Sequence, residues 1–155
     1  MIRVVGIGEY AVSTSEEDVL ITYALSSCVA LTAYLPSKKA GGMVHILLPD
    51  SNSYSDNISM WKFADTAIPG LIKKVCTELY CDKRQLEIKV YGGAESINKV
   101  DHFRIGSKNI EAVNKALISL DLVPIYKDIG GKQSRSLEMY MDTGMVNVRY
   151  SPLNI

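Results

Sequence analysis

The chain has 155 residues, 47% of them hydrophobic and 22% charged, and its 17 basic residues balance its 17 acidic ones. That length fits one domain, residues 1–155, with a single sizeable core, and the composition excludes a disordered chain. A net charge of zero gives no electrostatic case for nucleic acid or an anionic membrane, and no apolar run approaches the ~20 residues of a membrane-spanning helix.

Ile2–Gly8 alternates as a strand. A single Arg followed by alternation does not resemble a secretory leader, so a cytoplasmic protein with no membrane insertion is expected. Gly6-Ile7-Gly8-Glu9 lacks the third glycine and the following helix of a nucleotide loop. Cys28, Cys76 and Cys81 are an odd number without a CxxC, which argues against a disulfide framework or a zinc site. No metal or cofactor is expected.

Ser13–Asp18 reads as a polar turn, Asp18–Tyr23 as a strand, Cys28–Leu35 as a strand rich in Val, Leu, Thr and Tyr, and Pro36–Gly42 as a turn. Gly42–Leu48 is a further strand ended by Pro49-Asp50, and Ser51–Ser59 is a polar loop placed to form the rim of a cleft. Met60–Tyr80 carries the apolar stripe of a buried helix face, with Pro69-Gly70 expected to kink or split it. Leu86–Tyr91 alternates as a strand and runs into Gly92-Gly93-Ala94. Glu95–Ile105 reads as a loop containing a solvated His102. Ser107 is placed to cap a second helix running to about Leu120. Leu122–Asp128 is a strand pushed towards an edge by Pro124, and Arg135–Met141 with Met145–Tyr150 forms a hairpin. Strands, helix, strand, helix and strands follow one another without regular βαβ alternation, so the expected class is α+β.

The chemistry concentrates in Ile21–Asp50. Cys28 sits in a serine-rich turn between apolar runs, and His45, one of two histidines, lies on a buried-looking strand. A thiol and an imidazole are the minimum for nucleophilic acyl chemistry, with a third polar group such as Thr22 to fix the ring tautomer. A free thiol titrates near ~8.5, and an adjacent imidazolium lowers that value, so the Cys–His contact matters more than either residue alone. Read from the residues alone, the balance favours a small buried hydrophobe for Cys28, a core histidine for His45 and an ordinary strand residue for Thr22.

Several motifs then occur in one order. Gly6-Ile7-Gly8-Glu9-Tyr10 resembles the opening strand of the CheD family of chemoreceptor glutamine deamidases. Thr22 with Leu25-Ser26-Ser27-Cys28 is similar to that family's T-x2-LGSC segment, with Ser26 in place of the glycine. His45 with Leu48-Pro49-Asp50 resembles its H-x2-LPD signature, and Phe63-Ala64-Asp65-Thr66-Ala67 its (Y/F)AD-x-A helix. Gly92-Gly93-Ala94, Ile105-Gly106-x-x-Asn109 and Asp128-x-Gly130-Gly131 with Arg135 follow at similar spacings, so the resemblance covers almost the whole chain.

The resemblance implies a cysteine hydrolase that deamidates glutamines of methyl-accepting chemotaxis receptors. Cys28 would be the nucleophile, His45 the general base and acid, and Thr22 the group orienting the imidazole. The turn residues Ser26 and Ser27 and the pair Gly92 and Gly93 would bind the substrate or its oxyanion. The implied fold has β-sheets packed face to face with helices outside, similar to the catalytic domain of cytotoxic necrotizing factors. The implied partners are chemoreceptor cytoplasmic domains and a CheC-type phosphatase. The competing expectation is a non-catalytic adaptor that binds either of them.

Overall fold

The computed structural model describes residues 1–53, 59–95 and 104–153. Its strands are β1 (Ile2–Val4), β2 (Tyr10–Ser13), β3 (Val19–Leu25), β4 (Val29–Leu35), β5 (Ala40–Ile46), β6 (Glu87–Gly92), β7 (Tyr126–Ile129), β8 (Gln133–Tyr140) and β9 (Val146–Pro152). The helices are α1 (Ala64–Leu79) and α2 (Ile105–Ser119). One sheet has the order β1-β3-β8-β9 and the other β2-β5-β4-β6-β7. Each contains one parallel pair, β1 with β3 and β6 with β7, so both are mixed. The class is α+β, as expected. Among the described residues no helix is long and apolar enough to cross a membrane.

Burial sorts the molecule into three layers. Every residue of β4 and β5 is buried, because these central strands are covered on both faces. Val29, Leu31, Ala33 and Leu35 of β4, with Val44 and Ile46 of β5, pack against Ile68, Leu71, Val75 and Leu117 of the helices. The alternate residues, Cys28, Ala30, Tyr34 and Met43, turn the other way, against Leu20, Leu25, Leu137 and Met139 of the four-stranded sheet. The strand period of two therefore decides which side chains enter the inter-sheet layer.

Three details differ from the sequence expectation. Ile2–Gly8 is not one strand: β1 ends at Val4, a turn closed by Glu9 N–H to Gly6 C=O (3.0 Å) follows, and β2 begins in the other sheet. The glycine-containing turn thus carries the chain between layers.

Pro69 does not split its helix. Met60–Lys62 is a separate 3-10 turn, and α1 then runs unbroken, with Ala64, Ala67, Ile68, Leu71, Ile72, Val75 and Leu79 buried. The Pro69 ring faces solvent, so it removes a single backbone bond from a helix held by its whole inner face.

Ser107 does not cap α2. It lies inside the helix, and both its N–H and its hydroxyl donate to the Glu95 carboxylate, which satisfies that first turn from outside. β7 is an edge strand, as Pro124 suggested, and the final hairpin is β8 with β9. Of the proposed rim loop, 51–53 form a short turn tied to Asp65, while residues 54–58 and His102 lie outside the described residues.

Arg135 fastens the end of the molecule nearest the Gly-Gly segments. It is 5% exposed and donates to Asp128 Oδ1 (3.2 Å from Nη2) and to the carbonyl of Gly130 (2.8 Å). Gly130 N–H in turn donates to Gly92 C=O (2.8 Å), and Tyr150 completes the cluster with its hydroxyl on Asp128. Truncation leaves the Asp128 carboxylate without its charge partner and the Gly130 and Gln133 carbonyls without this donor. Arg135→Ala is therefore expected to lower the unfolding free energy by about 3 kcal/mol, read from the urea midpoint at unchanged slope. A loss under about 0.5 kcal/mol, the size of an ordinary surface substitution, would contradict this assignment.

Candidate active site

The site forms where β3 of one sheet faces β5 of the other. β3 reaches it through a bulge: its register on β8 shifts between Thr22 and Leu25, and Ala24 adopts φ +55°. Tyr23 and Ala24 are both exposed, so Thr22 and Leu25 can both point inward. His45 lies on the inward face of β5, opposite Ala30 of β4. Cys28 precedes Ala30 by two residues on the same face. That makes it the diagonal neighbour of His45, at about 7–8 Å between Cα atoms, and no hydrogen bond joins the thiol to the ring.

Thr22 and His45 meet across the layer, with Oγ1 2.7 Å from Nδ1. The hydroxyl also donates to Val5 C=O at 2.7 Å. A hydroxyl has one proton, so towards the ring it can only accept. Nδ1 must then carry the imidazole hydrogen, and Nε2 must be the basic nitrogen. Nε2 is buried without a hydrogen-bond partner among the described residues. The tautomer follows from Val5, a residue with no chemistry of its own, through Thr22.

Thr22 is fully buried, His45 is 1% exposed and Cys28 7% exposed, so Cys28 lies nearest the surface of the three. Burial pushes the Cys28 thiol up to about 11, a rise opposed by its own backbone N–H. Burial pushes the His45 imidazole down to about 4. At neutral pH the resting pair is therefore a thiol and a neutral imidazole. A preformed thiolate–imidazolium pair is not what this environment favours.

The turn before β4 is held by its carbonyls. Ser26 C=O accepts from Ala94 N–H (2.7 Å) and Cys28 C=O from Gly93 N–H (2.8 Å). Ser27 C=O accepts from the side-chain amide of Asn109 (2.8 Å), which also donates to Leu47 C=O (3.1 Å). Among the described residues no acceptor takes the N–H of Ser27 or of Cys28.

Ser26 has no positive φ, so serine occupies the glycine position of the motif without backbone strain. Gly92 does require glycine: its φ is +107°, and a Cβ there would lie 2.3 Å from Cys28 C=O. Gly93 uses its N–H on Cys28, so it supports the turn from behind instead of offering a donor to substrate.

The fully buried Asn109 is the contributor that the search for catalytic types missed. Its signal was present, since an Asn four residues before Val113 sits on the apolar stripe of α2. A groove of about 430 Å³ between α1 and α2, lined by residues such as Pro69, Lys108 and Lys115, contains none of the three candidate catalytic residues. No cluster of three or more metal-ligating side chains occurs among the described residues.

Burial of a neutral histidine makes stability depend on pH. Its ring titrates at about 4 when folded and at 6.5 unperturbed, so the unfolded chain binds the proton more readily. The contribution is complete above pH 6.5 and is lost as pH falls towards 4. At full extent it amounts to about 3 kcal/mol. His45→Asn, whose amide can still donate to Thr22, is expected to lose this part of the slope. Urea midpoints measured across that window for both proteins check it, and an unchanged slope would contradict the assignment.

Comparison with known proteins bears on this geometry. The family described as CheD chemotactic sensory transduction matches residues 47–150, a segment that begins just after His45. Pairwise similarity extends further. The chain is 42% identical over 149 residues to the probable chemoreceptor glutamine deamidase CheD of Syntrophotalea carbinolica, covering 94% of this chain and 91% of that protein. It is 38% identical over 149 residues to the chemoreceptor glutamine deamidase CheD of Thermotoga maritima, covering 96% and 92%. The probable deamidase of Pyrococcus abyssi is 35% identical over 147 residues, covering 94% and 89%.

Proposed function

The chain belongs to the CheD family, and from that premise we propose that it deamidates glutamine side chains of chemoreceptors through a thioester on Cys28. The observation that carries the catalytic assignment is the 2.7 Å contact between Thr22 and His45, made while the Thr22 proton is held by Val5. That contact leaves the bare Nε2 lone pair facing the layer that holds Cys28.

The chemistry follows from the neutral pair. As the glutamine carboxamide enters, the Cys28 sulfur bonds to its carbonyl carbon while the thiol proton passes to Nε2. Negative charge develops on the carbonyl oxygen, and the N–H groups of Ser27 and Cys28 are the donors available to it, each worth roughly 3–4 kcal/mol. The Nε2 proton is then delivered to the amide nitrogen, the C–N bond breaks and ammonia leaves. Water adds to the thioester as Nε2 takes its proton, the C–S bond breaks, and that proton returns to the sulfur. The receptor gains a glutamate and one negative charge. Thr22 holds the ring throughout, but a neutral hydroxyl stabilises imidazolium less than a carboxylate would. Proton transfer is therefore tied to bond formation, not completed beforehand.

Two helices on the outer side of two face-to-face sheets support a likeness to the catalytic domain of cytotoxic necrotizing factors. The family further suggests a cytoplasmic setting and a CheC-type phosphatase as a regulatory partner. The adaptor alternative requires only binding and gives no reason for a polarised, unpartnered Nε2.

Ammonia release, with a mass gain of about one dalton on a chemoreceptor cytoplasmic fragment, is expected for the wild type and absent in Cys28→Ala. Thr22→Val should lower kcat by about 100-fold, and Thr22→Ser, which keeps the hydroxyl, should restore most of it. A wild-type protein that binds the fragment without releasing ammonia would overturn the deamidase reading in favour of the adaptor.

A further inference from the structure

We infer that Asn109 is a positioning residue that aims the Cys28 N–H as the oxyanion donor of the reaction. The inference rests on the deamidase reading above and adds a residue of α2 to it.

The peptide between Ser27 and Cys28 is trans, as no cis peptide occurs among the described residues, so the C=O of Ser27 and the N–H of Cys28 point in opposite directions within one plane. The Asn109 amide nitrogen binds that carbonyl at 2.8 Å. Asn109 comes from α2, on the helical side of the five-stranded sheet. Fixing that carbonyl on Asn109 fixes the opposite-pointing N–H of Cys28, the backbone donor of the same residue whose sulfur attacks the carboxamide carbon.

The second hydrogen of the same amide binds Leu47 C=O at 3.1 Å, two residues after His45. One side chain thus fixes the nucleophile turn and the end of the histidine strand to each other. The orientation of the amide is not interchangeable, because a flipped Asn109 would set its oxygen against two carbonyl oxygens. The residue is fully buried, so water cannot take over both bonds without entering the core. α2 can come this close because Gly106 lacks a side chain: a Cβ there would lie 2.3 Å from Ala94 C=O. Ala94 N–H holds the neighbouring Ser26 carbonyl, which turns the Ser27 N–H by the same logic.

The test compares wild type, Asn109→Leu and Asn109→Asp. Measured quantities are kcat and KM for ammonia release from a chemoreceptor fragment, the alkylation rate of Cys28 by iodoacetamide, and thermal unfolding. Alkylation consumes the same thiol through displacement at a methylene and builds no oxyanion. In variants that fold, kcat should fall about 100-fold while KM and the alkylation rate stay within about threefold of wild type. Retained kcat would overturn the inference, as would kcat and alkylation falling together, which would make Asn109 a scaffold for the thiol alone. An inert wild type would instead sink the deamidase reading.

If neither variant folds, a crystal structure of wild type with a glutamine-derived aldehyde decides. A thiohemiacetal oxygen within hydrogen-bond distance of the Cys28 N–H supports the inference, and an oxygen directed elsewhere overturns it.

Discussion

The hydroxyl of Thr22 has one proton, and the site depends on where that proton goes. Because it is given to Val5, Thr22 can only accept from His45, and the ring must present a bare Nε2. This chain of consequence crosses both sheets: Val5 follows β1, Thr22 lies on β3 and His45 on β5. It holds only while the sheets stay in register and face to face. The packing of Leu20, Leu25, Met43, Leu137 and Met139 between them therefore serves the chemistry as well as stability. A one-residue slip of β3 or β5 within its own sheet would turn Thr22 or His45 out of the layer.

The same burial that fixes the ring keeps the pair neutral. A thiol raised to about 11 beside an imidazole lowered to about 4 is a poor nucleophile at rest. A raised thiol pKa of this kind slows reaction with oxidants and adventitious electrophiles. In the proposed mechanism, reactivity arises when a carboxamide reaches Cys28. Burial opposes full charge separation, but it strengthens the attraction between the charge that develops on the oxyanion and the imidazolium and N–H donors beside it. The surrounding backbone suits the proposed reaction: Ala94, Asn109 and Gly93 hold the carbonyls of Ser26, Ser27 and Cys28, and the N–H groups of Ser27 and Cys28 have no acceptor among the described residues.

Much of this was legible in the amino-acid sequence, and the rest was not for identifiable reasons. Cys28, His45 and Thr22 could be named because their chemistry is distinctive and their neighbours form a recurring motif. Their meeting could not be derived, because Thr22 and His45 lie in different sheets and the Tyr23–Ala24 bulge that turns Thr22 inward leaves no local pattern. Asn109 was hidden by its role, since it works through backbone carbonyls and not through side chains with reactivity of their own. Pro69 and Ser107 misled for the opposite reason. Local preference gave a break and a cap, while the buried face of α1 and the distant Glu95 decided otherwise. The alternation of β4 and β5 was masked by burial on both faces, so the strands were visible but their inward sides were not.

The most direct test of the account is the protonation state of His45 in the resting enzyme, observed through the nitrogen-15 resonances of its ring. With two histidines in the chain, the His45→Asn variant assigns the signals unambiguously. The account predicts a neutral ring at pH 7 with its hydrogen on Nδ1, titrating near pH 4. A hydrogen on Nε2, or an imidazolium already present at neutral pH, would contradict it, because neither could take the proton from Cys28.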